Sequence, residues 1–281
     1  MAVDLALLPP LSVIKQMTHE DIQEEMRKVG GLDKVSPSDP SARPILAGSY
    51  RETLLRQDMD EQARALTLAD AMGTDLDHIG ITYYRDAYGE PVVRLAGEGD
   101  EDYRQRLHES PAGLSVAGPF SSYEVIAKGA HPNIRQVKCV SPDVLDIVLY
   151  LLGRKGDGAV DDVTCRLVEA YMWNRRPLGD NVMAVSAEII KYRVKVIIRQ
   201  EKNHDPAAVL ANVAEALSLL TESRHKLKGR LTGTTIRGKL AVPYVEDVEL
   251  VGWTDIVCGE GQAPFCEGYE IVDGGWIDDE E

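Results

Sequence analysis

The sequence has little positive charge for its size. Its 281 residues include 31 Lys and Arg against 46 Asp and Glu, which gives a formal net charge of −15. A protein that wraps DNA or RNA needs a clustered excess of basic side chains to neutralise phosphates. The charge balance therefore argues against nucleic acid as a partner, and we expect the partners to be proteins.

Long apolar runs are also missing. No segment approaches the roughly 20 apolar residues that span a bilayer. The first residues, MAVDLALLPPLSVIKQ, place an acid and a Pro pair where a signal peptide has a basic start and an uninterrupted apolar run. The sequence predicts no membrane segment, and the expected compartment is the cytoplasm.

Signatures of catalysis and of metal binding are absent from the sequence. GxxxxGK[ST], GxSxG, HExxH and GxGxxG do not occur, and the four cysteines form no CxxC pair. The six histidines are isolated from one another. We therefore expect no cofactor, no metal ion and no enzymatic activity.

The first part of the chain has the periodicity of helices. At 18–29, THEDIQEEMRKV begins with a Thr that can cap a helix and has an acid three positions on. From Pro44 to Met72 the pattern predicts the longest helix, about 43 Å at 1.5 Å per residue. The pattern fits equally a core helix and a partner helix in a bundle between chains. Its apolar stripe is Leu46, Tyr50, Leu54, Met59, Ala63 and Leu66, and all but Ala63 are candidate interface residues.

A shorter helical turn follows at 74–80, TDLDHIG, where Thr74 is expected to cap the helix and Gly80 to end it. The next notable stretch, AGEGDEDYRQRL at 96–107, is strongly acidic. As a calcium loop starting at Asp100 it would need Gly at the sixth position and Glu at the twelfth, but Gln105 and Pro111 stand there.

A helix start explains the acidic stretch better than a cation site. Asp100 would act as the N-cap, and the acids after it would lie in the first turn, where the helix dipole favours negative charge. Tyr103 and Leu107, four residues apart, would then pack inward. Arg104 and Arg106 are expected to reach a neighbouring subunit.

Beyond residue 130 the period changes from 3.6 to 2. Strands are predicted at 134–140 and 144–152, then a helix at 160–173 that packs through Val163, Leu167 and Tyr171. A strand at 182–199 follows, with one face formed by Tyr192, Val194, Val196 and Ile198. The next helix begins at Pro206, and its apolar stripe is Val209, Val213, Leu217 and Leu220. The fold class is therefore α+β, an N-terminal helical region followed by a small sandwich of β-β-α-β-α-β order. Residues 253–281 contain nine acids and no Lys or Arg, which predicts an acidic, irregular tail.

Three ordered motifs carry a family resemblance: GTDLDHIGITYYR, then VVRLAGEGDEDYRQRL, then RRPLGDNVMAVSA. In this order they resemble the baseplate J family of contractile-tailed bacteriophages and related injection systems. The sequence departs from the family at Gly99, where Ser is common. The residues that match the family motifs are Asp75, Leu76, Gly80, Asp100, Tyr103, Arg104, Arg176, Pro177 and Asp180.

The resemblance implies a structural protein of the virion, in the wedge of the tail baseplate, assembled in the host cytoplasm. Its implied partners are a second copy in a homodimer, a tail protein I homologue, a W-type lysozyme-like baseplate protein and other hub proteins. Wedges would join into a ring around the hub. The implied division is a wedge-bundle region at 1–95, a helical connector at 96–132, the sandwich at 133–252 and the tail.

Two other functions remain open at this stage. The acidic tail could dock a basic partner, which would make the chain an adaptor. The acids at 98–102, together with His108, could instead form the centre of a metal-dependent hydrolase, although the stretch contains no paired histidines.

Overall fold

A computed structural model describes residues 5–9, 11–32, 36, 39–40, 42–86, 88–114, 119–202 and 205–276. The chain divides into two compact units. The first contains the residues up to Arg94 together with Glu98–Pro111, and the second contains Leu95–Gly97 and the residues from Ala112 onward. The finer four-part division stays a prediction.

The first unit is helical. Its helices are α1 (His19–Val29), α2 (Ala42–Arg64), α3 (Gly73–Tyr83) and α4 (Asp100–Glu109). The predicted cap of α1 is confirmed, since Thr18 and Asp21 form a reciprocal capping box. The core of this unit lies between α3 and α4 and consists of Ala71, Leu76, Ile79, Tyr103 and Leu107.

Helix α2 is shorter than predicted, because it ends at Arg64 and not at Met72. The Thr67 hydroxyl donates to the carbonyl of Arg64 and accepts from the amide of Asp70. Such local side-chain bonds compete with the helical ladder and favour a turn. The 23 residues of α2 span about 35 Å.

The predicted single apolar stripe on α2 is also wrong. At about 100° per residue, the five-residue step from Leu54 to Met59 turns the helix by about 500°, which leaves the two side chains about 140° apart. Leu46, Tyr50 and Leu54 therefore lie on one face of the helix. Met59 lies on a second face, and Leu66 follows the end of the helix.

Helix α3 does not stop at Gly80, as the sequence predicted, but continues to Tyr83. Its N-cap is Met72, with no side-chain hydrogen bond, so Thr74 is not the cap. Gly80 lies inside the helix and is buried. The close approach of Tyr103, described below, explains why a glycine stands there.

The second unit begins with a three-stranded sheet, the first sheet. Its elements are α5 (Phe120–Lys128), β1 (Ile134–Asp143), β2 (Asp146–Gly153), α6 (Asp162–Trp173) and β3 (Asn181–Ser186). The strand order is β1-β2-β3, with β1 antiparallel and β3 parallel to the central β2. Helices α5 and α6 cover the face that carries Ile147, Leu149 and Leu151.

Helix α6 packs through a different face from the one predicted. Val163 and Leu167 are exposed, whereas Cys165, Val168 and Met172 are buried against the sheet. The helix is apolar on both sides, so its periodicity does not identify the buried side.

A second sheet follows in the same unit. Its strands are β4 (Glu188–Gln200), β6 (Val245–Leu250) and β8 (Gln262–Trp276), in the order β6-β4-β8. The helices α7 (Pro206–Arg224) and α8 (Gly233–Leu240) cover it, and β5 (Arg230–Leu231) pairs with β7 (Ile256–Val257).

The predicted inward residues of this part are confirmed. Tyr192, Val194, Val196 and Ile198 of β4 are buried, as are Val209, Val213, Leu217 and Leu220 of α7. The predicted α+β class is confirmed, but the strand expected at 182–199 breaks at Ala187. Its two halves, β3 and β4, belong to different sheets. A single small sandwich is therefore replaced by two sheets, each with its own helices.

The prediction of an irregular acidic tail is wrong up to Trp276, and residues 277–281 lie outside the described residues. Strand β8 pairs in parallel with β4 over nearly its whole length. Its acids are matched by bases of β4: the Lys195 ammonium lies 2.7 Å from Glu270, and Arg193 lies 3.6 Å from Glu267. The charge that suggested disorder is therefore neutralised across the sheet.

None of the helices in the described ranges is both long and apolar enough to cross a bilayer.

Candidate interaction surfaces

The acidic stretch at 96–107 surrounds a fully buried tyrosine, Tyr103, as its helical pattern predicted. The Tyr103 hydroxyl donates to the carbonyl of Val92 over 2.6 Å. A Cβ atom added to Gly80 would lie only 1.9 Å from this hydroxyl oxygen. Burial raises the pKa of the Tyr103 hydroxyl, so the phenol is neutral and serves as a packing and hydrogen-bonding group. Two of the family-motif residues therefore meet in one contact.

Arg94 joins the start of α3 to the start of α4. Its guanidinium lies 2.6 Å from Asp77 and 2.7 Å from Asp100, and it also stands 4.8 Å from the ring centroid of Tyr103. These contacts connect the two motif segments of this unit through one cation.

Asp100 is not the N-cap of its own helix, as the sequence predicted. That position belongs to Gly99, and Asp100 is the first helical residue. Its carboxylate accepts the amide of Gly73 over 2.8 Å, and so satisfies a free N–H at the start of α3. This hydrogen bond and the nearby Arg94 lower the pKa of Asp100. Asp100 therefore caps the neighbouring helix.

The two arginines of the stretch point into the unit, so the expectation that they reach a neighbouring subunit is wrong. Arg106 forms a two-point ion pair with Glu98, at 2.8 and 2.7 Å, and both side chains are buried. Arg104 donates to the carbonyls of Leu68 and Ala71, at 2.9 and 2.7 Å. Arg104 thereby ties α4 to the segment that follows α2.

Two further motif residues belong to α3. Leu76 is fully buried, whereas Asp75 lies exposed in the first turn of the helix.

Within the described parts of the chain, no group of three or more His, Cys, Asp or Glu side chains is arranged to hold a metal ion.

The third motif forms the loop between α6 and β3. The Arg176 guanidinium donates to the carbonyls of Pro177 and Leu178, both at 3.3 Å, and also to that of Asp180. It stands 4.3 Å from the ring centroid of Trp173. The Asp180 carboxylate accepts the hydroxyl of buried Tyr123, whose pKa is raised by burial and by this bond. The motif therefore fixes the shape of a loop.

The candidate interface residues of α2 are open to contact. Tyr50 is 59% exposed and Leu66 is 80% exposed, and Leu46 and Met59 are exposed as well. Leu54 is half-buried. Their assignment as an interface stays a prediction.

One contact was missed at the sequence level: an arm formed by residues 11–16 lies along α2. The Asp60 carboxylate, itself buried, accepts the amides of Val13 and Ile14 at 2.9 and 3.3 Å. Arg64 donates to the carbonyl of Leu11 over 2.9 Å. The hydrogen bond from Val13 holds the pKa of Asp60 below its ordinary value. An acid within an acid-rich helix gives no signal that its partners are backbone amides some 46 residues earlier.

Comparison with known proteins agrees with the motifs. The family model described as "Baseplate J-like N-terminal domain" matches residues 37–85, which include α2 and α3. Over 296 residues the chain is 27% identical to "Baseplate protein J" of Escherichia phage P2, covering 97% of this chain and 98% of that protein. The chain is therefore similar to the baseplate J family, most directly over residues 37–85. The resemblance drawn from the sequence motifs is thereby confirmed, and the chain is a structural component of a phage tail baseplate.

Among solved structures, the protein is similar to a chain in "Cryo-EM structure of the anti-feeding prophage (AFP) baseplate, 6-fold symmetrised". The TM-score is 0.39 and the identity 13%, and the similarity covers 60% of this chain and 42% of that one.

In each edge strand of the first sheet, one backbone amide is bonded to a glutamate of a flanking helix. On β1, the amide of Cys139 donates to Glu124 of α5 over 3.1 Å. On β3, the amide of Ala184 donates to Glu169 of α6 over 2.9 Å. An edge amide on each side is therefore satisfied within the subunit.

Proposed function

We propose that this protein is a wedge subunit that pairs with a second copy, binds a tail protein I homologue and links wedges into a ring around the hub. The observation that carries the proposal is the extent of the similarity to the phage P2 protein, 97% of this chain and 98% of that one. Since neither protein has a large segment without a counterpart, a shared role in the baseplate needs no added or lost domain.

The surface of α2 supports a role in a bundle between chains. Leu46 and Tyr50 are exposed on one face and Met59 on another, and Leu66 is exposed just after the end of the helix. Exposed apolar residues at helical spacing are typical of helix-to-helix recognition. Two such faces, about 140° apart, suit contacts with two neighbouring helices, which a second copy and one further protein would supply.

The interior of the first unit supports the same role, because it holds α3 and α4 firmly. Arg104 and Arg94 bond to the segments on either side of Met72, so the chain that leaves α2 is fixed to the helices that follow. A subunit of a large assembly needs such rigid connections to position its contact surfaces.

The competing functions lose their support. Three of the four acids at 98–102 face an arginine: Glu98 with Arg106, Asp100 with Arg94 and Glu101 with Arg104. In the supposed docking tail, Glu267 and Glu270 lie in β8 and pair with bases of β4, and Glu260 pairs with Lys228. Neither group is free to act as a metal ligand or as an acidic docking arm.

Co-purification of differently tagged copies, expressed together with the tail protein I homologue, tests the proposal. We expect Tyr50→Asp to lose the second copy, the homologue or both, because a charge would enter an apolar contact. Gln62→Asp adds the same charge at an exposed position on another side of α2 and should retain both partners. Retention of both by the Tyr50→Asp variant would show that this face of α2 is not an interface.

A further inference from the structure

One segment of the second unit is strongly basic in a chain that is acidic overall. Residues 223–245 contain six Lys and Arg and no Asp or Glu, whereas the whole chain has a net charge of −15. Four of these bases fall within the seven residues from Arg224 to Arg230, where α7 ends and β5 begins. Positive charge is therefore concentrated at one place in the fold.

A second turn lies against this segment and adds another base. The Cβ position of Gly158 is 2.8 Å from Nε2 of His225, and the amide of Gly158 donates to the carbonyl of Lys155 over 3.2 Å. Four exposed bases belong to these two neighbouring segments, and we call them the basic surface: Lys155, Lys226, Lys228 and Arg230.

The backbone that carries the basic surface is anchored from two strands. The amide of Leu227 donates to Gln136 of β1 over 2.9 Å, and the amide of Lys228 donates to the carbonyl of Gln262 of β8, also over 2.9 Å. Leu227 and Leu231 are buried. The charged side chains are thus presented on an ordered backbone, so little further ordering is needed when a partner binds.

Elsewhere in the second unit, exposed bases are matched by acids. On β4, each of four bases lies 2.7–3.6 Å from a carboxylate of the same unit: Lys191, Arg193, Lys195 and Arg199. This is the expected arrangement in a chain with an excess of acids, because a carboxylate is readily available to each base.

The basic surface departs from this arrangement. Lys228 pairs with Glu260. Lys155, Lys226 and Arg230 form no ion pair with any residue that the structure describes. Three neighbouring positive charges are therefore left to be neutralised from outside the chain.

The surroundings of these charges favour an acidic protein segment as the occupant. Val257 pairs with Arg230 between β7 and β5 and is 69% exposed. A polypeptide can pair its carboxylates with the bases and cover this valine with an apolar side chain. Nucleic acid and a second copy are both opposed by the net charge of −15, whereas a different protein needs only a local excess of acids.

We propose that the basic surface binds an acidic segment of a different protein of the baseplate, with Lys226 and Arg230 pairing with its carboxylates. The proposal goes beyond the wedge contacts of α2, because it gives the second unit a partner of its own.

Site-specific photo-cross-linking in assembled baseplates tests this contact. A photoreactive amino acid replaces Val257, which lies beside Arg230, and cross-linked peptides are identified by mass spectrometry. We expect a peptide of a different baseplate protein that contains more Asp and Glu than Lys and Arg. Adding Lys226→Glu should lower its yield at least about tenfold, because like charges would face each other.

Three controls separate the effect of charge from an effect on folding. Arg166→Glu makes the same change of charge at an exposed arginine of α6 and should leave the yield unchanged. Lys226→Arg keeps the charge and should also leave it unchanged. Replacing an acid of the cross-linked peptide by Lys should restore the yield in the Lys226→Glu background, which a misfolded chain would not allow.

Several results would overturn the proposal. They are a cross-link to a second copy, to nucleic acid or to a peptide without an excess of acids, the lack of any cross-link, and a yield that Lys226→Glu leaves unchanged. Each of these results leaves the wedge role in place, since that role is tested through α2. Failure of the unmodified chain to co-purify with the tail protein I homologue or with a second copy counts against the wedge role and not against this contact.

Discussion

The replacement Gly80→Ala tests whether the family glycine is required by the tyrosine opposite. The added Cβ would lie 1.9 Å from the Tyr103 hydroxyl oxygen, 2.8 Å from its Cζ and 3.1 Å from the Val92 carbonyl oxygen. Tyr103 is fully buried and its hydroxyl is bonded to that same carbonyl. The ring cannot move aside without losing this bond, so α3 and α4 must separate.

The expected cost follows from three terms. Overpacking of a filled core costs about 1–3 kcal/mol, and loss of the Tyr103 hydrogen bond costs about 1 kcal/mol. Replacing Gly by Ala inside a helix returns about 1 kcal/mol through backbone entropy and helix propensity. The free energy of unfolding should therefore fall by about 1–3 kcal/mol.

Urea denaturation of the full chain, followed by circular dichroism, measures this change. Gly238→Ala is the matched control, because a Cβ at Gly238 in α8 meets nothing within 4 Å. That variant should gain up to about 1 kcal/mol, so the two replacements are expected to have opposite signs.

A double-mutant cycle with Tyr103→Phe isolates the contact itself. Removing the hydroxyl deletes the nearest atom, so Gly80→Ala should cost about 1 kcal/mol less in the Tyr103→Phe background than in the wild type. A neutral Gly80→Ala variant, or a cycle without coupling, would refute the steric explanation for the glycine.

Two further variants test contacts within the first unit. Asp60→Asn should increase protease cleavage in the arm at 11–16, and Asp58→Asn is the exposed control. The pKa of Asp60 is lowered in the folded protein. Its contribution to stability is therefore present above the unfolded pKa of about 3.9 and is lost as the pH falls through the lower, folded pKa. Glu98→Ala leaves Arg106 buried without its carboxylate and should lower the free energy of unfolding by about 3–5 kcal/mol. Glu101→Ala removes a largely exposed carboxylate and should change the free energy of unfolding by less than about 1 kcal/mol. Equal effects of Glu98→Ala and Glu101→Ala would contradict the importance of burial.

The parts of the fold that the sequence predicted well are those with one apolar face and clear end signals. Helix α7 begins at Pro206 after the capping residue Asp205, and its buried residues recur at helical spacing. Strand β4 alternates buried Val194 and Val196 with exposed Lys195. In these elements, local pattern and tertiary packing agree.

The errors arose where a distant partner decides the structure. Strand β8 looked like a disordered acidic arm because the bases that neutralise it, such as Lys195, stand 75 residues earlier in the chain. Gly80 looked like a helix end because nothing in the local sequence indicates that Tyr103 packs against it. The same holds for Asp100, which caps α3 from another helix.

The candidate surfaces were predictable in part. The apolar residues of α2 could be named from the sequence, although their division between two faces appeared only once the helix was fixed. The contact between the β1–β2 turn and the loop after α6 was not predictable, because the two are separated by about 30 residues and become neighbours through the pairing of β2 with β3. The motif residues Arg176 and Asp180 were found, but their role in holding Leu178 was not.

The glutamates at the edges of the first sheet bear on the time before assembly. Many identical copies are made in one host cell, and an open sheet edge would let them add to one another without limit. With Glu124 and Glu169 occupying edge amides, this sheet is poorly suited to act as a template for such growth. Copies must then associate through side-chain surfaces, which are weak singly and strong when several neighbours bind at once.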